Sequence, residues 1–414
     1  MKLLEELAAR RRLGMRPGLD AMRRVLAALG DPQLVVRPVH IAGTNGKGAV
    51  AAIVDAALGD ALRYTSPHLV RLNERFTRGG VMLDDATLER AAARVFAADA
   101  AGELTFFESL TAVAFLLAAE MRVPQAVFET GLGGRLDATN VCRPRLAVIT
   151  RIGLDHCDWL GDTLARIAAE KAGIIKPGVS VVVGANAPEA LAVIRAAAAR
   201  ASARFVYAPD IVTEAEIPAD FALRGSFNRE NAVTAIAALK TLLGVERLGL
   251  PMCARIATVR WPGRFERLGG FLVDGAHNPP GAAALVAALC MEYPTLAEHS
   301  LELVFGCCAD KDADAVIALL APFVRRVWTV ATHNPRALAA PAVAAKFAAA
   351  GVSATACGSV GEALARTGAD LSGDPAAPPA ALVCGSLFLV GEALAALAAA
   401  PASRPDPSEA LEAL

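Results

Sequence analysis

The chain has 414 residues, 55% of them hydrophobic and 20% charged, with a formal net charge of −1 at pH 7. That length favours two cores over one. With a near-zero charge nothing suggests a nucleic-acid footprint, and any anionic ligand must be held by local placement of cations. The charged start Met1-Lys2-Leu3-Leu4-Glu5-Glu6 carries no signal-type apolar core, and no uncharged run is long enough to span a bilayer. The eight cysteines make no C-x-x-C pair and several lie in apolar surroundings, the pattern of reduced core thiols. A cytoplasmic protein, with no membrane and no nucleic-acid partner, is expected.

In chain order, residues 1–30 read as helical, interrupted at Gly14, Pro17 and Gly18, with apolar residues at helical spacing over 19–28. Residues 33–42 hold a first strand ending in Val39-His40-Ile41-Ala42. The turn Gly43-Thr44-Asn45-Gly46-Lys47-Gly48 follows, then an Ala-rich helix over 49–58. Residues 63–80 read as one long polar loop, and loops of that density are often functional. Helices are expected over 85–100 and 107–121. A strand over 126–129 ends in Glu129 and leads into a second glycine turn, 131–137. A strand over 146–150 leads to Gly153-Leu154-Asp155-His156. Strands at 179–183 and 205–207, an irregular 208–224 and a helix over 228–243 continue the pattern.

Trp261-Pro262-Gly263-Arg264 reads as a hinge, after which strands and helices alternate again: strands at 271–274, 301–305, 327–331 and 381–384, helices from Gly281 and Ala313. The stretch 381–390 reads as a buried strand. Residues 401–414 read as a loose tail. The expected class is therefore α/β: a P-loop-containing, doubly wound, mostly parallel sheet domain over 1–260, then a smaller Rossmann-like α/β domain over 261–400. Ligands of such sheets bind at the carboxyl ends of the strands, where the polar motifs fall.

Strand, glycine loop and helix is the setting a phosphate needs: backbone N–H groups approach it, the helix N-terminus adds partial positive charge, and Lys47 adds a full one. The spacing departs from G-x-x-x-x-G-K, and no hydroxyl follows Lys47, so a Mg²⁺ ion must be held from elsewhere. Glu129, Ser66, His68 and His156 are the candidates; on spacing alone each reads equally as a structural polar group. Lys171, between apolar flanks near a helix end at Gly173, reads as partly buried, hence paired, neutral or modified. Asp274-Gly275-Ala276-His277-Asn278-Pro279 and Asp310-Lys311-Asp312 follow strands of the second domain, either as ordinary loop polarity or as that domain's share of a nucleotide site.

Taken together and in order, AGTNGKG (42–48), TSPHLVRLNERF (65–76), TFFE (105–108), ETGLGGRLDATNV (129–141), GLDHCDWLGDTLARIAAEKAGIIKPG (153–178), WPGRFE (261–266), DGAHNP (274–279), DKD (310–312) and VCGSLFLVGE (383–392) resemble the folylpolyglutamate synthase/dihydrofolate synthase family of the Mur ligase superfamily, bifunctional bacterial type. The resemblance implies ATP-dependent formation of an acyl phosphate on dihydropteroate or a reduced folate, followed by attack of the L-glutamate amine. It implies Asn45, Gly46, Lys47 and Gly48 on the ATP phosphates, Asn231, Arg264 and Asp274 as further nucleotide contacts, and Ser66, Glu129 and His156 as Mg²⁺ ligands. Lys47, Lys171 and His156 are the implied catalytic residues. Lys171 matches a lysine that is carbamylated in the family, which would let it hold a second Mg²⁺.

Thr105, Phe106, Phe107 and Glu108, with Leu136, Asp137 and Ala138, match pterin-binding segments; Arg135, Asp137 and Ala138 resemble the members that make dihydrofolate. Three departures stand out: Ala49 in place of Ser or Thr, a short connection over 58–64, and Gly225-Ser226-Phe227-Asn228 where a His-Gln pair is common. The expectation is a monomer whose domains close to complete the site. Another amide ligase of the superfamily and a catalytically impaired ATP-binding homologue are the alternatives.

Overall fold

The computed structural model describes residues 6–7, 9–10, 14, 18–372, 374 and 377–399. The expected tail 401–414 and most of the helical reading over 1–17 lie outside them. The chain divides into two compact units, Met1–Pro262 and Gly263–Leu414; the division falls inside the Trp261–Arg264 stretch.

The first unit is built on eight strands: β1 (Val39–Ala42), β2 (Ala61–Tyr64), β3 (Phe76–Arg78), β4 (Val81–Met82), β5 (Gln125–Glu129), β6 (Leu146–Ile149), β7 (Val181–Val183) and β8 (Phe205–Tyr207). Their spatial order is β4-β3-β2-β5-β1-β6-β7-β8. From β2 to β8 every pairing is parallel, and only β2 with β3 and β3 with β4 run antiparallel.

Alternation places successive side chains on opposite faces. Val39, Ile41, Val127, Leu146, Val148 and Val182 point to a core shared with the helices Lys47–Leu58, Ser226–Leu243 and Leu250–Ala257. The residues between them face the other layer. There Ala126 and Phe128 pack with helices Asp85–Ala98 and Phe106–Glu120, and Ala147, Ile149, Val181 and Val183 with helices Leu164–Ala172 and Pro188–Arg200. Both faces are covered, so the strands read as continuous apolar runs. β1 lies between β5 and β6. The crevice beyond its carboxyl end is where a ligand of such a sheet binds.

Several local expectations are corrected. The polar stretch 63–80 is not one loop. It completes β2, forms a 3₁₀ turn at Leu72–Arg75 and returns as the β3–β4 hairpin. Strands of two or three residues carry no readable period. Within 33–42, a helical turn at Pro32–Val35 precedes the strand. Within 208–224 sit a short helix, Ala208–Ile211, and a 3₁₀ turn, Glu214–Glu216.

The second unit holds β9 (Glu266–Leu268), β10 (Phe271–Val273), β11 (Leu301–Phe305), β12 (Val324–Thr329), β13 (Ser353–Ala356) and β14 (Ala381–Cys384), in the order β13-β12-β11-β14-β10-β9. All pairs are parallel except β9 with β10. β9 and β13 escape a reading by hydrophobicity because they are edge strands, half-buried or largely exposed. The stretch 381–390 is a strand only to Cys384; Gly385, at φ 111°, turns the chain into the helix Leu387–Ala399. All eight cysteines are free.

Candidate active site

The loop after β1 is stitched to the loop after β6. The Thr44 and Asn45 N–H groups donate to the Arg151 carbonyl at 2.9 and 3.3 Å. The Thr150 hydroxyl donates to the Asn45 carbonyl at 2.7 Å. Its glycines are required by close approach. A Cβ on Gly43 would lie 1.8 Å from Thr150 Oγ1, one on Gly48 2.5 Å from the Trp261 indole, and one on Gly46 2.1 Å from Asn231 Oδ1. Gly46 also has φ +87° and forms the N-cap of helix Lys47–Leu58. As a glycine, Gly46 has no side chain to cap that helix, and no acid lies in its first turn. A helix start of this kind offers N–H groups and partial positive charge to an anion.

Lys47 bends back over the loop. Its Nζ donates to the Thr44 carbonyl at 3.2 Å and stands 3.9 Å from Glu129 Oε1. Glu129 ends β5, and its other oxygen accepts the Ser66 N–H at 3.1 Å. Ser66, Glu129 and Lys47 are therefore brought together.

Lys171 reaches the same loop from behind. It comes from helix Leu164–Ala172 on the opposite face of the sheet, and its Nζ donates to the Gly43 carbonyl at 2.8 Å. Burial, then the charge of Lys47, pushes its pKa down to about 7, against the pull of Asp155 and Asp137. Asp155 also accepts the His156 N–H at 2.9 Å and lies 3.8 Å from His156 Nε2. His156 is thus tied to Asp155, a residue whose role the sequence reading left unassigned. Its signal was present: a carboxylate directly before the candidate histidine, at the end of a strand.

By donor chemistry a carboxylate, a hydroxyl and an imidazole would suit Mg²⁺; of the three residues, Glu129 and Ser66 are joined to each other and Glu129 stands beside Lys47, while His156 is joined to Asp155. Among the described residues no three His, Cys, Asp or Glu side chains form one cluster; the named set has only one carboxylate and one imidazole.

The remaining expected residues fall into three groups. Asn231 lies against Gly46, and its Nδ2 donates to Asn228 Oδ1 at 3.3 Å; the buried Asn228 is tied in turn to the Arg224 carbonyl. The departing segment Gly225-Ser226-Phe227-Asn228 therefore anchors Asn231. In the second unit, Asp274 accepts the N–H groups of Phe265 and Ala276, each at 2.8 Å, and burial pushes its pKa up against the adjacent Arg264.

The third group is the pair of pterin-type segments. Thr105 and Glu108 close a capping box on helix Phe106–Glu120. Phe106 lies under the Arg75 guanidinium and Phe107 against Gly131. Leu136 is partly exposed and Ala138 buried. The Asp137 carboxylate accepts the Gly131 and Leu132 N–H groups, each at 2.8 Å, together with the Thr139 N–H and hydroxyl.

Two further features were not foreseen. Arg63 pairs with the buried Asp55 at 3.1 Å and stacks on Trp261, behind Gly48. The other is His40, fully buried in β1 with its Nε2 2.8 Å from Thr139 Oγ1. A cavity of about 520 Å³, lined in part by Arg37, Arg122, Gln125 and Arg145, opens at the amino ends of the strands and shares no residue with these loops.

Fold and site define an ATP-dependent ligase. Residues 41–210 match the Mur ligase middle domain, and residues 263–386 match the Mur ligase, glutamate ligase domain. A Bacillus subtilis dihydrofolate synthase/folylpolyglutamate synthase is 35% identical over 79% of this chain and 84% of its own. The chain belongs to the dihydrofolate synthase/folylpolyglutamate synthase family. Its structure is similar to that of E. coli FolC in complex with DHPP and ADP (TM-score 0.82, 29% identity, 96% of this chain and 98% of that one). It is also similar to a bifunctional folylpolyglutamate synthase/dihydrofolate synthase with Mn, AMPPNP and L-glutamate bound (TM-score 0.81, 28% identity, 96% and 98% covered).

Proposed function

We propose that the protein joins L-glutamate to dihydropteroate and also extends reduced folates with further glutamates. The acceptor's carboxylate oxygen takes the terminal phosphoryl group of ATP, and ADP leaves. The glutamate amine then attacks the carbonyl carbon, a tetrahedral intermediate collapses, the amine loses its proton and phosphate departs. A carboxylate is a poor electrophile because its oxide is a poor leaving group; phosphorylation supplies a good one. The protein's share is positioning and charge neutralisation.

The observation that carries this reading is Lys47, set between an uncapped helix start and the Glu129 carboxylate. Lys47, with the amides of Asn45, Gly46 and Gly48, would hold the phosphates. Ser66, Glu129 and His156 would hold Mg²⁺, which neutralises phosphate charge when bound. Asn231, Arg264 and Asp274 are assigned to the nucleotide, and Thr105–Glu108 with Leu136, Asp137 and Ala138 to the pterin. Lys171, whose pKa is lowered to about 7 by burial, has a neutral amine available near pH 7 and suits carbamylation, which would make it an anionic ligand for a second Mg²⁺. The protein is assigned to the cytoplasm as a monomer.

A coupled assay of phosphate release tests the function. Release is expected only with ATP, glutamate and either dihydropteroate or tetrahydrofolate present. ATP binding without turnover on any pterin would overturn it.

A further inference from the structure

His40 lies in the middle of β1, fully buried, between Phe128 of β5 and Ala147 of β6 in register. Its neighbours Val39 and Ile41 face the core that packs against helix Lys47–Leu58, so its own side chain points to the other layer. There its Nε2 meets Thr139 Oγ1 at 2.8 Å. The Thr139 hydroxyl hydrogen goes to Asp137 Oδ1. The threonine oxygen therefore accepts from His40, which fixes the proton on Nε2. Nδ1 is buried, with no hydrogen-bond partner among the described residues. Burial and the nearby Lys176 hold the imidazole's pKa down to about 3, so it stays neutral. The result is a one-way relay, His40 to Thr139 to Asp137, and Asp137 in turn grips the Gly131 and Leu132 amides.

Stability alone does not account for this arrangement. An imidazole with one unpaired nitrogen in a central strand carries a desolvation cost that a leucine would avoid. Its return is orientation: the relay fills one side of the Asp137 carboxylate, so the glycine turn 131–134 is held on the other. That turn is also clamped from outside, because Gly131 abuts the Phe107 ring and Gly134 abuts the backbone of Glu170 and Lys171.

We propose that His40 is a positioning residue for the acceptor substrate, acting through Thr139 on Asp137. The proposal rests on the reading that Leu136, Asp137 and Ala138 bind the pterin. His40 touches neither substrate nor nucleotide. Yet it stands on the strand that delivers the phosphate loop, so a purely structural role would disturb ATP binding as well.

The test compares H40F and H40Q with T139V and T139S in the full chain, after thermal unfolding has checked that each is folded. Kd for 7,8-dihydropteroate and for ADP is measured by calorimetry, and KM for dihydropteroate and ATP by phosphate release. H40F and T139V are expected to weaken dihydropteroate roughly tenfold, the effect of one lost hydrogen bond in a charged network, with the nucleotide constants within about twofold of wild type. H40Q and T139S keep the donors and should recover most of the loss. Equal effects on pterin and nucleotide, or none on either, would overturn the relay while leaving the ligase reading standing. A wild-type protein that neither binds nor turns over any pterin would overturn both.

Discussion

Lys171 shows how much a single side chain depends on its surroundings. In water its amine is charged well above neutral pH; here burial and Lys47 bring the pKa down to about 7. Because the folded pKa is lowered, the unfolded chain binds the extra proton between about pH 7 and the ordinary lysine value of 10.5. The buried charge is thus destabilising below pH 7, and that penalty fades as pH rises through the window. Denaturant titrations from pH 6 to 9 should show wild type gaining stability with pH relative to Lys171→Ala. The same variant should lose turnover by roughly a hundredfold or more, as removal of a preorganised charge site does, and unchanged activity would refute its role. Labelled bicarbonate followed by ¹³C NMR should give a carbamate resonance that strengthens above pH 7 and is missing from Lys171→Ala. Lys47→Ala is expected to raise KM for ATP more than tenfold, by loss of a charged contact to phosphate.

At the scale of elements, the site is a set of loop ends made to touch where no Cβ fits. Gly134 stands against helix Leu164–Ala172, and a methyl there would meet the Lys171 carbonyl oxygen at 2.8 Å and that of Glu170 at 2.9 Å. Neither backbone atom can swing aside, so Gly134→Ala should destabilise by about 2 kcal/mol in urea and withdraw Lys171 from Gly43. Gly48→Ala would drive a methyl to 2.5 Å from the Trp261 ring. A ring can shift, so the expected loss falls on ATP affinity, read by calorimetry, more than on stability. Trp261→Ala should rescue the fit of Gly48→Ala if the clash is the cause. Ala49, which stands where Ser or Thr is common, is buried, and the metal ligands proposed lie in three other loops.

At the scale of the molecule, each unit carries its own sheet and helical layers. Calorimetry of fragment 1–262 should show a cooperative transition of its own, because the three apolar clusters around its sheet are made within it. A fragment that is soluble but melts without cooperativity would contradict this. No described helix is long and apolar enough to cross a membrane. The proposed monomer is checked by light scattering of the full chain, and a dimer mass at micromolar concentration would refute it.

The alternation of strands and helices, the strand–glycine loop–helix setting of Lys47 and the family resemblance were all legible in the sequence, because each is a pattern carried by residues close along the chain or by motifs in fixed order. The edge strands β9 and β13 and the hairpin β3–β4 were not, since short edges show little of the hydrophobic alternation that marks a buried strand. Nor were the joins that make the site. Ser66 meets Glu129 across 63 positions, His40 meets Thr139 across 99 and Lys171 meets Gly43 across 128. Local spacing carries no information about such pairs. They exist because a doubly wound sheet brings the carboxyl ends of β1, β5 and β6 side by side, and packing there leaves room for only certain atoms. Sequence determined which residues were available to the proposed phosphate, metal and pterin sites. Tertiary structure decided that Lys171 reaches the Gly43 carbonyl, that Asn228 holds Asn231, and that Asp137 is bound by four donors, because those roles are set by distance through space.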